Sequence, residues 1–288
     1  MTIREWIRER EITGIQAFSF DEIRCSFPAL SERIISNEIY RQSVRQRIFP
    51  VYRGFYVIVP PQYAAKNMIP PVYYVEHLME YLKKPYYVCL LNAAELLGAA
   101  HQRPQKFAVM TVFPKSSVSK TKNKALEWIY RKSIPEKFLK TKNSETGVIT
   151  FSNPELTAID LVQYEQYAGG LARVATVLEE LTEQTDFSKA ADGLFENTTV
   201  PAIQRLGYIL DNILNEREQA DTLYRQLQTF GRRLNYVPLS SRHPLRDDDT
   251  DRRWKIYVNT NLIRPDMSYH PLEAYDLVKK ELIDCLKQ

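Results

Sequence analysis

Cysteine is scarce in this chain: Cys25, Cys89 and Cys285 are the three among 288 residues. Their odd number, wide spacing and lack of a Cys-x-x-Cys pair exclude a disulfide framework and a zinc ribbon. Glycine is also scarce, with nine residues and no Gly-x-Gly-x-x-Gly or Gly-x-x-x-x-Gly-Lys loop. The phosphate cradles of dinucleotide-binding and P-loop proteins are therefore missing. No apolar run approaches the ~20 residues that span a bilayer, and the opening stretch MTIREWIRERE is charged throughout, without an apolar signal region. These absences read as a soluble protein of the reducing cytoplasm. Charge of one sign is in short supply too. A net charge of +4 and a pI near 8.8 permit nucleic-acid binding without arguing strongly for it.

What is present suffices for packed cores. Hydrophobic residues make up 44% of the chain, and 18 tyrosines suit boundaries between apolar and polar surroundings. The length allows two domains. The organisation reads as α+β: an N-terminal winged helix-turn-helix over residues 1–62, then a larger mixed α/β domain over 72–288. Between them the prolines at 60, 61, 70 and 71 mark a linker or short surface connection.

The N-terminal segment is the most informative. Ile3, Trp6, Ile7 and the stem of Arg10 recur at helical spacing, predicting a first helix over 2–12 with Gly14 as its stop. Ser19 or Asp21 caps a short second helix holding Ile23, Cys25 and Phe27, which Pro28 ends. Ser31 caps a third helix with Glu32 in its first turn, where the helix dipole favours an acid. At about 100° per residue, Leu30, Ile34, Ile35 and Ile39 fall toward the core. Arg33, Ser36, Asn37, Tyr40 and Arg41 fall on the opposite side. Those side chains suit base edges and phosphates: Arg to guanine, Asn to adenine, Ser and Tyr to phosphate oxygen. Arg45 and Arg47 follow the helix, and a strand pattern over 51–59 turns at Arg53-Gly54. A recognition helix followed by a basic-tipped hairpin is the winged-helix outline, with Arg45, Arg47 and Arg53 placed for backbone phosphates. A polar helical face is also what plain solvent exposure produces, and winged helices also dock proteins, so the residues leave both alternatives open.

Further along, helices are expected at 75–82, 88–97, 155–166, 171–182, 202–214, 218–227 and 272–286. Strands are expected at 106–112, 126–130, 148–151 and 255–258, with a Ser/Thr/Lys-rich loop at 115–124. The candidate chemistries fail one by one. The histidines, His77, His101, His243 and His270, lack ligand spacing. His101, beside Gln102 and Gln105, has no positioned partner and reads as structural. Asp247, Asp248, Asp249 and Asp251 lack the glycine and closing glutamate of a calcium loop and read as solvated. The chain has no Glu-x-Lys for a metal-dependent nuclease, no Gly-Ser turn before an Asp-x-Asp pair, and no serine elbow. No catalytic residue, metal or cofactor is expected.

Three stretches carry a resemblance. Tyr86 to Gln105 reads YYVCLLNAAELLGAAHQRPQ. Asn153-Pro154-Glu155 leads into Thr157-Ala158-Ile159-Asp160-Leu161-Val162. Near the end stands Arg253-Trp254-Lys255-Ile256-Tyr257-Val258-Asn259. Together with VYRGFYVIVP after the Ser-capped arginine helix, these resemble the AbiEi-type antitoxins of bacterial abortive-infection, type IV toxin–antitoxin systems. One departure is Leu97, where the family usually has a histidine before Gly-Ala-Ala, and a packing role is expected there. The resemblance implies a winged helix that binds double-stranded operator DNA and represses its own operon. It also implies a larger domain that neutralises an AbiEii-type nucleotidyltransferase toxin without a stable complex. Two other classes compete on the residues alone: a ligand-sensing winged-helix regulator and a diverged nuclease-like enzyme.

Overall fold

The computed structural model describes residues 1–64, 69–99, 104–115, 125–144, 147–245 and 249–262. In chain order these form α1 (Ile3–Ile12), β1 (Ala17–Ser19), α2 (Phe20–Ser26), α3 (Glu32–Val44), β2 (Ile48–Tyr52), β3 (Phe55–Ile58), α4 (Pro61–Ala64), α5 (Val75–Leu82), β4 (Tyr86–Val88), α6 (Leu90–Leu97), β5 (Phe107–Val112), β6 (Leu126–Arg131), β7 (Leu139–Ser144) and β8 (Gly147–Ser152). There follow α7 (Pro154–Gln163), α8 (Glu165–Ala168), α9 (Leu171–Leu181), α10 (Val200–Tyr208), α11 (Arg217–Phe230), β9 (Val237–Pro238), β10 (Thr250–Asp251) and β11 (Ile256–Tyr257). The class is α+β, with a winged helix-turn-helix at the N-terminus and a larger mixed α/β region after it.

Local chemistry explains where the first helices begin. Thr2 accepts from the Glu5 amide while the Glu5 carboxylate accepts from the Thr2 amide, a reciprocal capping box. Ser19 and Glu22 repeat the arrangement at α2. Ile3, Trp6 and Ile7 bury one face of α1, and the Arg10 guanidinium lies 4.5 Å from the centre of the Trp6 ring. Ser31 sits at the N-cap of α3, although its side chain makes no capping bond.

The strand order β1-β3-β2 is the winged-helix sheet, antiparallel throughout. Side chains alternate between its two faces, and both faces are covered. Phe18, Ile48 and Ile58 pack with Ile3, Trp6, Ile23, Ile35 and Ile39 of the three helices. Ala17, Val51, Phe55, Val57 and Val59 pack with Ile69, Tyr74 and Leu78, against which Leu126 and Trp128 also lie. Residues 60–72 thus contribute Ile69 to a core rather than only a surface connection. This second layer makes 1–88 and 104–151 one compact unit. The other unit comprises 89–103 and 152–288. The division at 62 and 72 remains a proposal about the winged helix alone.

The first unit also holds a five-stranded sheet of order β6-β5-β4-β8-β7. β4 runs antiparallel to β5 and parallel to β8, and β5 runs parallel to β6. Two of these strands depart from the expected pattern. Val88 closes a strand instead of opening a helix, because α6 begins two residues later, and β7 is a strand that its polar sequence, LKTKNS, does not announce.

In the second unit, α6, α7, α9, α10 and α11 supply many of the buried apolar residues. Asn153 caps α7 by accepting from the Leu156 amide, and Thr199 caps α10 from Ala202. The expected helix over 202–214 is α10 continued by a π-helical turn, Ile209–Ile213. Trp254 is fully buried, its ring lying directly where Gly207 has no side chain. A Cβ at Gly207 would come within 2.1 Å of that ring, which is why a helix interior tolerates glycine at this point. His101, Asp247, Asp248 and the helix expected at 272–286 lie outside the described residues.

Candidate nucleic-acid interface

The third helix sorts its residues by the geometry of the turn beneath it. Ile35, Ile39 and Gln42, spaced i, i+4, i+7, are its buried residues. Ile34 was expected among them and is 52% exposed. The apolar stripe is narrower than four hydrophobic residues suggested: Ile34 sits about 100° around from Ile35. Gln42, 1% exposed, takes the third core position and satisfies its amide by donating to Glu38 at 2.6 Å.

The polar residues named from the sequence are all on the surface. Arg33, Ser36, Asn37, Tyr40, Arg41, Arg45, Arg47 and Arg53 are exposed. Tyr40 reaches 70% exposure, and Val44 one turn on is exposed beside it. Such a tyrosine has most of its surface available to a partner. Among the described residues Arg33, Arg45 and Arg47 form no ion pair within 4 Å, and Arg41 has a loose one to Glu38 at 3.4 Å. An arginine without an internal partner keeps its full charge and donors for an external anion.

The wing is short and held in place. Tyr52 pairs with Phe55 across a turn made of Arg53 and Gly54 alone. Gly54 has φ +72°, and a Cβ there would lie 2.8 Å from the Tyr81 hydroxyl. That hydroxyl donates to the Arg53 carbonyl at 3.0 Å, and the Phe20 amide donates to the Gly54 carbonyl at 2.8 Å. Burial raises the pKa of Tyr81, so its proton stays available for this bond. The backbone of the tip is fixed, and among the described residues the Arg53 side chain forms no ion pair.

The structure also groups these residues. Asn37, Arg41 and Arg45 line one groove of about 940 Å³ between α1 and α3, and Arg45 and Arg47 line a second of about 410 Å³. Arg33, Ser36 and Tyr40 share the α3 surface without lining either, and Arg53 stands apart on the hairpin. Sequence reasoning missed Arg4 and Arg8, which line both grooves opposite Arg45. Their one-turn spacing off the Ile3/Trp6/Ile7 stripe was a readable signal.

Among the described residues no group of three or more His, Cys, Asp or Glu side chains could hold a metal ion, and no helix is long and apolar enough to cross a membrane. The motif residues beyond the winged helix do structural work. Cys89 is the buried N-cap of α6, and Leu97 ends that helix, its carbonyl accepting from Gln184 at 3.0 Å. Thr157 bonds the Ser152 hydroxyl at 2.6 Å where β8 passes into α7.

Residues 86–212, which contain these motifs, match the model of the family described as "AbiEi antitoxin C-terminal domain". Over that stretch the chain is similar to the AbiEi antitoxin C-terminal domain. The match falls on the Tyr86 and Asn153 stretches from which the family resemblance was read. The fold is similar to that of the "RV2827C protein from Mycobacterium tuberculosis", a crystal structure with TM-score 0.62 and 11% identity, over 87% of this chain and 90% of that chain. At that identity the likeness is one of fold alone. No curated protein matches the chain.

Proposed function

We propose that this chain is a DNA-binding antitoxin: its winged helix reads operator DNA and represses its own operon, and its AbiEi domain counters a nucleotidyltransferase-type toxin. The observation that carries the DNA half is the surface of α3. Arg33, Ser36, Asn37, Tyr40 and Arg41 are all exposed on the helix that a winged helix places in the major groove. Arg33, Asn37, Tyr40 and Arg41 are assigned to the groove, and Arg45, Arg47 and Arg53 to phosphates. The antitoxin half is supported by the family match over 86–212. In this reading the protein acts in the cytoplasm as part of a phage-defence, abortive-infection system and is not an enzyme.

The test is binding of the full chain to the DNA upstream of its own gene, titrated against salt, beside the Arg33→Ala/Arg41→Ala variant. Log affinity falls with log salt by about 0.9 for each phosphate neutralised. Specific binding that the variant loses establishes the helix as a DNA reader. If the variant binds as the wild type does, α3 is not the reading element. The toxin half is tested separately, by whether co-expression relieves growth arrest by the toxin encoded beside this gene.

A further inference from the structure

The groove between α1 and α3 is not explained by DNA binding. Its walls carry two arginine pairs, each at one-turn spacing: Arg4 and Arg8 on α1, Arg41 and Arg45 on α3. Its floor is apolar, made by Phe27, Leu30 and Ile34, and Ile34 is half-exposed. Two glutamates also line it, Glu5 accepting from the Thr2 amide at 2.8 Å and Glu38 from Gln42 at 2.6 Å; they keep their charge and the four arginines outnumber them. Arg4, Arg8 and Arg45 form no ion pair among the described residues. A phosphate backbone would use the arginines and gain nothing from the floor. An α-helix with an apolar stripe and carboxylates along its flanks would use both, since its own side chains repeat at the same one-turn spacing.

We infer that this groove docks an acidic amphipathic helix of a protein partner. Asn37, Arg41 and Arg45 belong both to the groove and to the face assigned to DNA, so the occupant and DNA exclude one another. This second clause rests on the DNA-binding reading; the docking itself does not.

The experiment uses the full chain and a panel of synthetic helical peptides of roughly five turns, with leucines on one face, glutamates on both flanks and the apolar register varied. Peptides with lysines replacing the glutamates are the control. Fluorescence anisotropy reads peptide binding, and the same samples are titrated with operator DNA. The expected result is saturable binding of acidic peptides only, weakened about tenfold by Arg4→Ala/Arg8→Ala and by Ile34→Asp, with operator DNA displacing the peptide. Ile34 is half-exposed, so its variant is expected to melt as the wild type does. Arg4→Ala/Arg8→Ala is expected to keep operator binding, whereas Arg33→Ala is expected to lose it and keep the peptide. Equal binding of acidic and basic peptides, binding unchanged in the groove variants, or no binding by any of the panel overturns the docking. If Arg4→Ala/Arg8→Ala weakens DNA binding instead, the groove belongs to nucleic acid. Peptide binding without DNA competition leaves the docking intact and removes the shared face.

Discussion

Two sets of arginines, one on the winged-helix surface of the first unit and one packed around Trp254 and α10 in the second, are used in opposite ways. In the first, Arg4, Arg8, Arg33, Arg45 and Arg47 lie on the surface without an ion pair among the described residues. In the second, Arg253 bridges Asp211 at 2.9 Å and Asp221 at 2.5 Å, and its guanidinium lies 4.8 Å from the Tyr224 ring. Those two carboxylates hold its pKa up against the opposing effect of burial. Arg205 donates to the Pro238 carbonyl at 2.8 Å, and burial lowers its pKa. Two buried polar groups of the second unit follow the same pattern. Buried Glu165 accepts from the Ser241 amide at 3.0 Å and hydroxyl at 2.9 Å, and Gln204 donates to the Trp254 carbonyl at 2.7 Å. A polar residue whose bonds are complete inside the fold builds; one with open donors on the surface is available to bind.

That contrast can be broken most severely at Trp254. Its ring fills the space over Gly207, its indole N–H donates to Asp211 at 3.0 Å, and its carbonyl receives Gln204. Trp254→Ala is expected to cost about 3–5 kcal/mol of stability, measured by denaturant unfolding followed by circular dichroism. If the loss is under about 1 kcal/mol, well below that range, the second unit does not depend on this contact.

Arginine itself gives the direct comparison. Arg253→Ala strips a partly buried Asp211 of a charged partner and is expected to cost roughly 1–3 kcal/mol. Arg33→Ala, at an exposed site, is expected to stay within about 0.5 kcal/mol. Equal effects on the same denaturation curves would erase the distinction between building and binding arginines.

A finer division lies within the binding face. Asn37→Ala is expected to lower the preference for operator over scrambled DNA by about 1–3 kcal/mol while leaving the salt slope alone, because asparagine reads a base edge. Arg45→Ala is expected to reduce the slope by about 0.9 and leave the preference unchanged. Competition titrations at two salt concentrations separate the two. If both variants act alike, the face reads charge only.

Much of the winged helix was legible because its signals are local. Ile3, Trp6 and Ile7 announce α1, Ser19 and Ser31 mark helix starts, and Arg53-Gly54 marks the turn. What escaped depends on distant partners. β1 has only three residues and exists because Ala17 to Ser19 pair with Val57 to Phe55. β7 has no buried side chain, so nothing in its sequence alternates. Ile34 is as hydrophobic as Ile35, and only the packing of α1 and the sheet decides which one is buried. At the candidate site the α3 surface could be read from one helix, whereas the separate groove that Arg4 and Arg8 line exists only once α1 and α3 are placed together.

The smallest effect expected sharpens the comparison at the edge of that groove. Glu5 lines it but is committed to the α1 capping box, and the Thr2 amide and hydroxyl hold its carboxyl pKa below the ordinary value. A depressed carboxylate stabilises the fold above its unfolded-state pKa and loses that contribution as pH falls through the folded one. Acid below the ordinary carboxylate range should therefore release the α1 end of the groove. Thr2→Ala removes the cap at all pH values and is expected to cost about 0.5–2 kcal/mol. It should also abolish the acid-dependent part. Amide hydrogen exchange of residues 3–6, followed from neutral to acid pH in both proteins, measures this. If the pH dependence of exchange at the α1 start is the same with and without Thr2, Glu5 is not held by the box. Its carboxylate is then free to turn toward the arginines of the groove and compete with the glutamates of the peptide.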